Sequence, residues 1–248
     1  MSSVVDIRSN LASVRERIHA AASRVGRRGE QVALMGVTKA FPAERIREAY
    51  AAGLRLFGEN RVQEFAAKVE ALTDLGGAEF HLIGHLQTNK ALKAAEVFNA
   101  IDSLDSLRLA EKLNQAAESV GNILPVLIEI NVGGEEQKTG VSSDSADLEQ
   151  MLAAAPRLEF LEFRGLMTIP PFTEDPEGAR PYYRMLRELR DQVAARHLPA
   201  VKMDVLSMGM SHDLEVAVEE GSTCVRVGTA IFGPRPEPQW TRGGGTET

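Results

Sequence analysis

A closed barrel of eight parallel strands wrapped by helices, a (β/α)8 fold with one extra helix in front, is the architecture the sequence predicts. Short apolar runs occur eight times and alternate with amphipathic stretches. The series fills a chain of 248 residues, the usual size of such a barrel. The turn after the first run, Thr38-Lys39-Ala40-Phe41-Pro42, lacks the glycine-rich fingerprint that an open doubly wound sheet carries there.

The extra helix comes first. Val4, Ile7, Leu11, Val14, Ile18 and Val25 fall at spacings of three, four or seven with Arg and Glu between them, which predicts an amphipathic helix from about Val4 to Val25. Val32-Ala-Leu-Met-Gly-Val37 then reads as a strand buried on both faces. Further strands are expected at Leu54–Phe57, Phe80–Ile83, Ala100–Leu104, Leu124–Ile130, Leu158–Met167, Met203–Ser207 and Cys224–Val227. Helical stretches separate them near 43–52, 61–72, 88–98, 106–119, 145–155, 176–196 and 212–220, with a short turn at Thr229–Phe232. Asp105 reads as a cap, Pro42 and Pro176 as first-turn prolines, and Gly53 and Gly221 as left-handed helix ends. Residues 1–238 form one domain in this reading, and 239–248 form an unstructured glycine-rich tail.

Composition narrows the function. The chain carries 28 basic and 35 acidic residues, a net charge of −7, so a broad nucleic-acid or anionic-membrane surface is not expected. One cysteine allows no intrachain disulfide and no multi-cysteine metal site. No apolar run is long enough to span a bilayer, and MSSVVDIRSN lacks the basic start and apolar core of a secretory leader. A cytoplasmic protein is expected. Nothing in the sequence marks an interface, which leaves a monomer as the default.

In a barrel, chemistry gathers at the C-terminal ends of the strands. Lys39 directly follows the first strand, so its amine is expected at the barrel mouth. Partial desolvation there favours the neutral amine that attacks an aldehyde. The competing reading is a structural lysine paired with a carboxylate such as Glu59; the other lysines fall on helices or in hydrophilic loops. After strands seven and eight come Ser207-Met-Gly-Met-Ser211 and Arg226-Val-Gly-Thr229, at the loops where barrel enzymes often hold phosphate. Ordinary turn chemistry would use the same residue types. Together, one lysine and two such loops point to a phosphorylated aldehyde bound as a Schiff base, either pyridoxal 5′-phosphate or a phosphosugar.

Six motifs then carry a resemblance. They are Gly36-Val-Thr-Lys39, Phe57-Gly-Glu-Asn-Arg-Val-Gln-Glu64, His81-Leu-Ile-Gly-His-Leu-Gln-Thr-Asn-Lys90, Gly165-Leu-Met-Thr-Ile-Pro170, Leu206-Ser-Met-Gly-Met-Ser211 and Val225-Arg-Val-Gly-Thr-Ala-Ile-Phe-Gly233. In order and spacing the sequence resembles the YggS/PROSC family, the pyridoxal-phosphate-binding homeostasis proteins. The resemblance implies a single barrel similar to the N-terminal domain of alanine racemase, with pyridoxal phosphate on Lys39. It further implies Asn60 beside the cofactor ring, Ser207, Gly228 and Thr229 on the phosphate, and Arg226 facing the pyridine nitrogen. Members are associated with control of the cellular pyridoxal phosphate pool, with no established catalytic reaction; apo-enzymes that use the cofactor are the expected recipients. His212 after Ser211 and the glycine-rich tail depart from the family pattern without touching the cofactor residues.

Low turnover has its own rationale. A permanently cationic arginine at the pyridine nitrogen disfavours protonation there and weakens the electron sink. The related racemases add a tyrosine from a second domain, whereas Tyr50, Tyr182 and Tyr183 here fall on helices. A non-catalytic carrier is therefore expected, with a racemase-type enzyme and a class I phosphosugar aldolase as the alternatives. His81 and His85 straddle a strand end and Gly84, a poor arrangement for a metal pair, and no metal is expected. Asp102, Asp105, Glu135 and Glu136 read as caps or loop acids, Cys224 as a buried filler. Lys138, in the loop after strand five, reads as a solvent lysine with a transfer role as the alternative.

Overall fold

The computed structural model describes residues 5–135 and 139–234; Lys138, Glu136 and the tail 239–248 lie outside the described residues. The strands are β1 (Ala33–Val37), β2 (Leu56–Glu59), β3 (Glu79–Leu82), β4 (Ala100–Leu104), β5 (Leu124–Glu129), β6 (Leu161–Met167), β7 (Val201–Ser207) and β8 (Cys224–Val227). Each pairs in parallel with the next, and β8 returns to β1 through the register Ala33–Cys224 to Gly36–Val227, closing the barrel. The helices are α1 (Ile7–Arg24), α2 (Ala43–Ala51), α3 (Val62–Ala66), α4 (Ala91–Val97), α5 (Leu107–Val120), α6 (Ala146–Ala154), α7 (Arg180–Ala195), α8 (Leu214–Glu219) and α9 (Thr229–Phe232).

The period-two pleat divides the side chains. Phe57, Leu82, Ile101, Ile128, Leu206 and Val225 belong to the main core between sheet and helices, while Met35, Val37, Ile83 and Cys224 form a second cluster inside the barrel. Stacked rings fix the β2–β3 quadrant: Phe57 lies 5.3 Å from Phe80, and Phe65 lies 4.8 Å from both Phe80 and Phe98. Such pairs each add about 0.5–1.5 kcal/mol beyond their burial.

The extra helix has a structural purpose. The last crossover, α9, is a single turn, too short to cover its strand. Helix α1 takes that place, burying Ile7, Leu11, Val14 and Ile18 and packing on α8 and α9. Arg17 donates to Glu215 at 2.6 Å, and the Asn10 amide donates to the Ile231 carbonyl at 2.9 Å.

Four local expectations are corrected. Strand β2 runs two residues later than Leu54–Phe57, because it registers on β3 from Leu56–Glu79 to Glu59–Leu82, which brings Glu59 into the sheet. The helix expected over 61–72 breaks into α3 and a 3-10 turn, Val69–Leu72, at Lys68, whose side chain turns inward. Ser106, not Asp105, caps α5 by accepting from the Leu109 amide at 3.3 Å. Strand β6 also starts at Leu161 rather than Leu158, since Ala155–Arg157 forms a 3-10 turn.

Candidate functional site

Lys39 stands at the C-terminal end of β1, half-buried, in the second position of a turn closed by the Phe41 amide donating to the Thr38 carbonyl at 3.1 Å. Ala40, in the third position, has φ +64, the conformation a type II turn requires there. A non-glycine residue pays roughly 1–2 kcal/mol for it, so the turn must be held by its surroundings. Lys68 and Glu59 supply the hold. The Lys68 ammonium pairs with Glu59 Oε1 at 2.7 Å and donates to the Phe41 carbonyl at 3.0 Å and the Thr38 carbonyl at 3.3 Å. The Thr38 hydroxyl donates to the same carboxylate oxygen at 2.5 Å. Glu59 is fully buried and its Oε2 has no hydrogen-bond partner among the described residues. Burial pushes its carboxyl above the usual range against the pull of Lys68. The carboxylate considered as a partner for Lys39 thus belongs to Lys68, a lysine that reads from sequence as solvated.

Asn60 follows β2, half-buried, and its side-chain amide has no hydrogen-bond partner among the described residues. Gly84 presses on it: a Cβ there would lie 2.3 Å from the Asn60 carbonyl oxygen, so only glycine lets the β3 end approach this closely. Across the barrel, the buried Arg226 donates from Nη1 to the Ser207 hydroxyl at 2.7 Å and from Nη2 to the Thr168 carbonyl at 2.6 Å. No carboxylate forms an ion pair with it among the described residues. A guanidinium carries five N–H donors, so these two bonds leave others to offer.

The loops after β7 and β8 are built around glycine. Gly209 has φ +97 and a Cβ there would meet Ala217 at 2.5 Å; its carbonyl accepts from the Arg226 amide at 2.9 Å. Asp213 accepts from the Met210 amide at 2.7 Å and shapes the same loop. Beside it, Gly228 is half-buried and Thr229 exposed on the rim, and the Ser211 hydroxyl accepts from the Ala230 amide at 3.4 Å. Ser207 does not join that rim. It is fully buried and its hydroxyl accepts from Arg226, while the Ser211 hydroxyl stands beside the Ala230 amide.

Sequence reasoning missed Glu129, which ends β5 buried in the mouth and accepts from the Thr139 hydroxyl at 2.7 Å. Burial pushes its carboxyl up; a lone acid closing the apolar run Leu124–Ile130 was the available signal. Tyr183, read as an ordinary helix residue, is buried with its hydroxyl unpartnered among the described residues, and burial plus the Asp213 charge hold its proton on. Burial likewise pushes the Cys224 thiol up to about 12.

The opposite end of the barrel holds a cavity of about 480 Å3, lined among others by Glu79, His81, Asp102, Arg164 and Asp204. Its charges pair internally: His81 Nδ1 lies 3.1 Å from Asp102 Oδ1 and Nε2 3.7 Å from Glu79, and Arg164 pairs with Asp204. Asp102 is therefore a buried strand acid, not a cap or loop acid, while His85 sits at the other end of the barrel on Asp105. Burial alone would lower the His81 imidazolium, but Asp102 and Glu79 outweigh it and hold it at about 9. Folding thus favours the protonated ring. The contribution is complete below the unfolded value near 6.5, and is lost as pH rises through about 9. The shift corresponds to on the order of 3 kcal/mol. Urea midpoints measured from pH 6 to 10 are expected to fall across this window in the native chain and to stay flatter in His81→Gln. Equal slopes in both would sink the assignment.

The family model described as the alanine racemase N-terminal domain matches residues 9–236. The pyridoxal phosphate homeostasis protein of Aquifex aeolicus is 48% identical over 225 residues, covering 91% of this chain and 96% of that relative. The chain belongs to the pyridoxal phosphate homeostasis protein family. Within the family, the structure of PipY from Synechococcus elongatus with pyridoxal phosphate bound is 38% identical, with a TM-score of 0.79 over 92% of this chain and all of that one. Alanine racemase of Clostridium difficile shares the fold at 17% identity and a TM-score of 0.67, covering 96% of this chain and 61% of the racemase.

Proposed function

We propose that this chain is a cytoplasmic carrier that holds pyridoxal phosphate as a Schiff base on Lys39 and releases it to other amines, apo-enzymes included. The observation that carries the reading is the pairing of Lys39, at the β1 end beside the Glu59–Lys68 clamp, with a buried Arg226 across the mouth that forms no carboxylate ion pair among the described residues. The residues fit the group. Gly228, Thr229 and Ser211 border a rim suited to the phosphate, the unpartnered Asn60 amide is available to the ring, and Arg226 is a donor suited to an unprotonated pyridine nitrogen. When bound, the cofactor supplies an aldehyde that reacts reversibly with amines and an electron sink whose strength depends on that nitrogen. Ser207 and the Thr168 carbonyl keep the guanidinium oriented, so an arginine rather than a carboxylate holds this position.

The same residues support carriage without turnover. Removing an α-proton and returning it to the other face needs a base on each side. Tyr183 and Cys224 keep their protons at neutral pH, each held up by burial. The test is to load the protein with pyridoxal phosphate, follow the visible band, reduce with borohydride and map the modified peptide. The expected adduct is on Lys39, with no α-proton exchange when amino acids are added. An adduct on another lysine removes the site; rapid α-proton exchange removes the carrier reading in favour of a racemase-type enzyme.

A further inference from the structure

Two of the sequence motifs are largely unused by the site described above. From Asn60 onward, Arg61 and Gln63 continue the first; beyond Gly84, His85, Gln87 and Lys90 continue the second. They are 21 or more residues apart along the chain, yet these five polar side chains line one hollow of about 270 Å3 between the C-terminal ends of β2 and β3. It shares a wall with the cofactor mouth, because Gly84 packs directly on the Asn60 backbone.

The composition of the hollow is one-sided. No acidic residue lines it, although the whole chain is at −7. Lys90 forms no ion pair among the described residues, and the side-chain amides of Gln63 and Gln87 have no hydrogen-bond partner there. Arg61 is engaged only by Glu64, an exposed pair one turn along the helix at 3.0 Å. Such a pair contributes a few tenths of a kcal/mol, little resistance to exchanging Glu64 for a ligand anion. Asp105 holds His85 by Nδ1 at 2.9 Å, which leaves Nε2 as the nitrogen able to meet a ligand.

The hollow is also built on rigid ground. Val62 and Leu86 form its floor, 4% and 2% exposed, and belong to the same hydrophobic core as Phe57, Phe65, Phe80 and Phe98. The polar groups are therefore presented by two loops anchored in that core. Preorganised donors lose less on binding than floppy ones.

We propose that this hollow binds the anionic group of a small molecule, a carboxylate or a phosphate monoester, through Arg61 and Lys90, with His85 and the two glutamine amides completing the donor set. The proposal stands independently of the Lys39 chemistry. Each cation contributes one charge-assisted hydrogen bond, so removing either is expected to weaken binding about tenfold.

The experiment uses the full chain and two probes, inorganic phosphate and succinate, each titrated against sodium chloride at matched ionic strength. The readout is the ring resonance of His85, assigned with His85→Gln, together with calorimetry. The His85 signal separates this hollow from the Gly228–Thr229 rim, where phosphate is also expected. A saturable shift with phosphate alone identifies a phosphate site; one with succinate alone or with both identifies a carboxylate-accepting site. Lys90→Met and Arg61→Met should each weaken it about tenfold, Lys112→Gln on α5 should not, and Lys39→Ala should bind as the native chain does. A chloride control that reproduces the shift, or unchanged binding in both cation variants, overturns the proposal.

Discussion

Lys39→Ala is expected to leave the barrel folded while removing its capacity to hold pyridoxal phosphate covalently. The side chain is half-buried on a turn outside the sheet, so truncation should cost about 1 kcal/mol or less, within the ordinary range for such positions. The visible Schiff base band should disappear. Cofactor retention through desalting should fall on the order of a hundredfold or more, equivalent to roughly 3 kcal/mol of lost binding. In the proposed site, the Gly228–Thr229 rim and Arg226 would still hold the cofactor without a covalent link. Lys39→Arg refines the result. Arginine preserves the positive charge, but its guanidinium does not deprotonate in proteins and forms no comparable bond with the aldehyde. If charge alone drew the cofactor in, Lys39→Arg would retain it; if the amine matters, the band is lost as in Lys39→Ala. A band that persists in both variants places the chemistry elsewhere.

The parts of this site legible in the sequence are those whose role follows from position along a strand. Lys39 closes an apolar run, and Arg226 lies within another, so topology alone carries both to the barrel mouth. The eight runs themselves were legible because a strand covered by helices outside and packed within has few polar interruptions. Roles that depend on which side chain reaches which partner were not. Lys68 reads as a helical lysine until the helix breaks at that residue and its ammonium meets Glu59, nine positions earlier. Ser207 carries the residue type of a phosphate ligand, and its bond from Arg226 had no signal in the sequence. Asp102 reads as a cap or loop acid even though its strand is expected over Ala100–Leu104; only the packing shows it buried against His81. The placement of α1 follows from the brevity of α9, a packing consequence with no local signature.

The Glu59–Lys68 pair offers the second large effect, and it separates stability from positioning. Lys68→Met removes the partner of a carboxylate that is fully buried. Breaking a buried pair this way costs on the order of 3 kcal/mol, here limited by proton uptake, since burial already pushes the Glu59 carboxyl up. For a barrel of this size that is a fall in melting temperature of roughly 10 °C. Two backbone anchors go with it, the bonds to the Thr38 and Phe41 carbonyls that hold Ala40 at φ +64. Lys39 is expected to sample more orientations and to react with pyridoxal phosphate more slowly. Lys68→Met combined with Glu59→Leu tests this directly. It removes both charges, so much of the stability should return, because paired apolar replacements of buried ion pairs are often neutral or favourable. The turn anchors do not return. A double variant as stable as the native chain, yet still slow to form the Schiff base, assigns Lys68 to positioning Lys39. Recovery of rate along with melting temperature would make the pair a matter of stability alone.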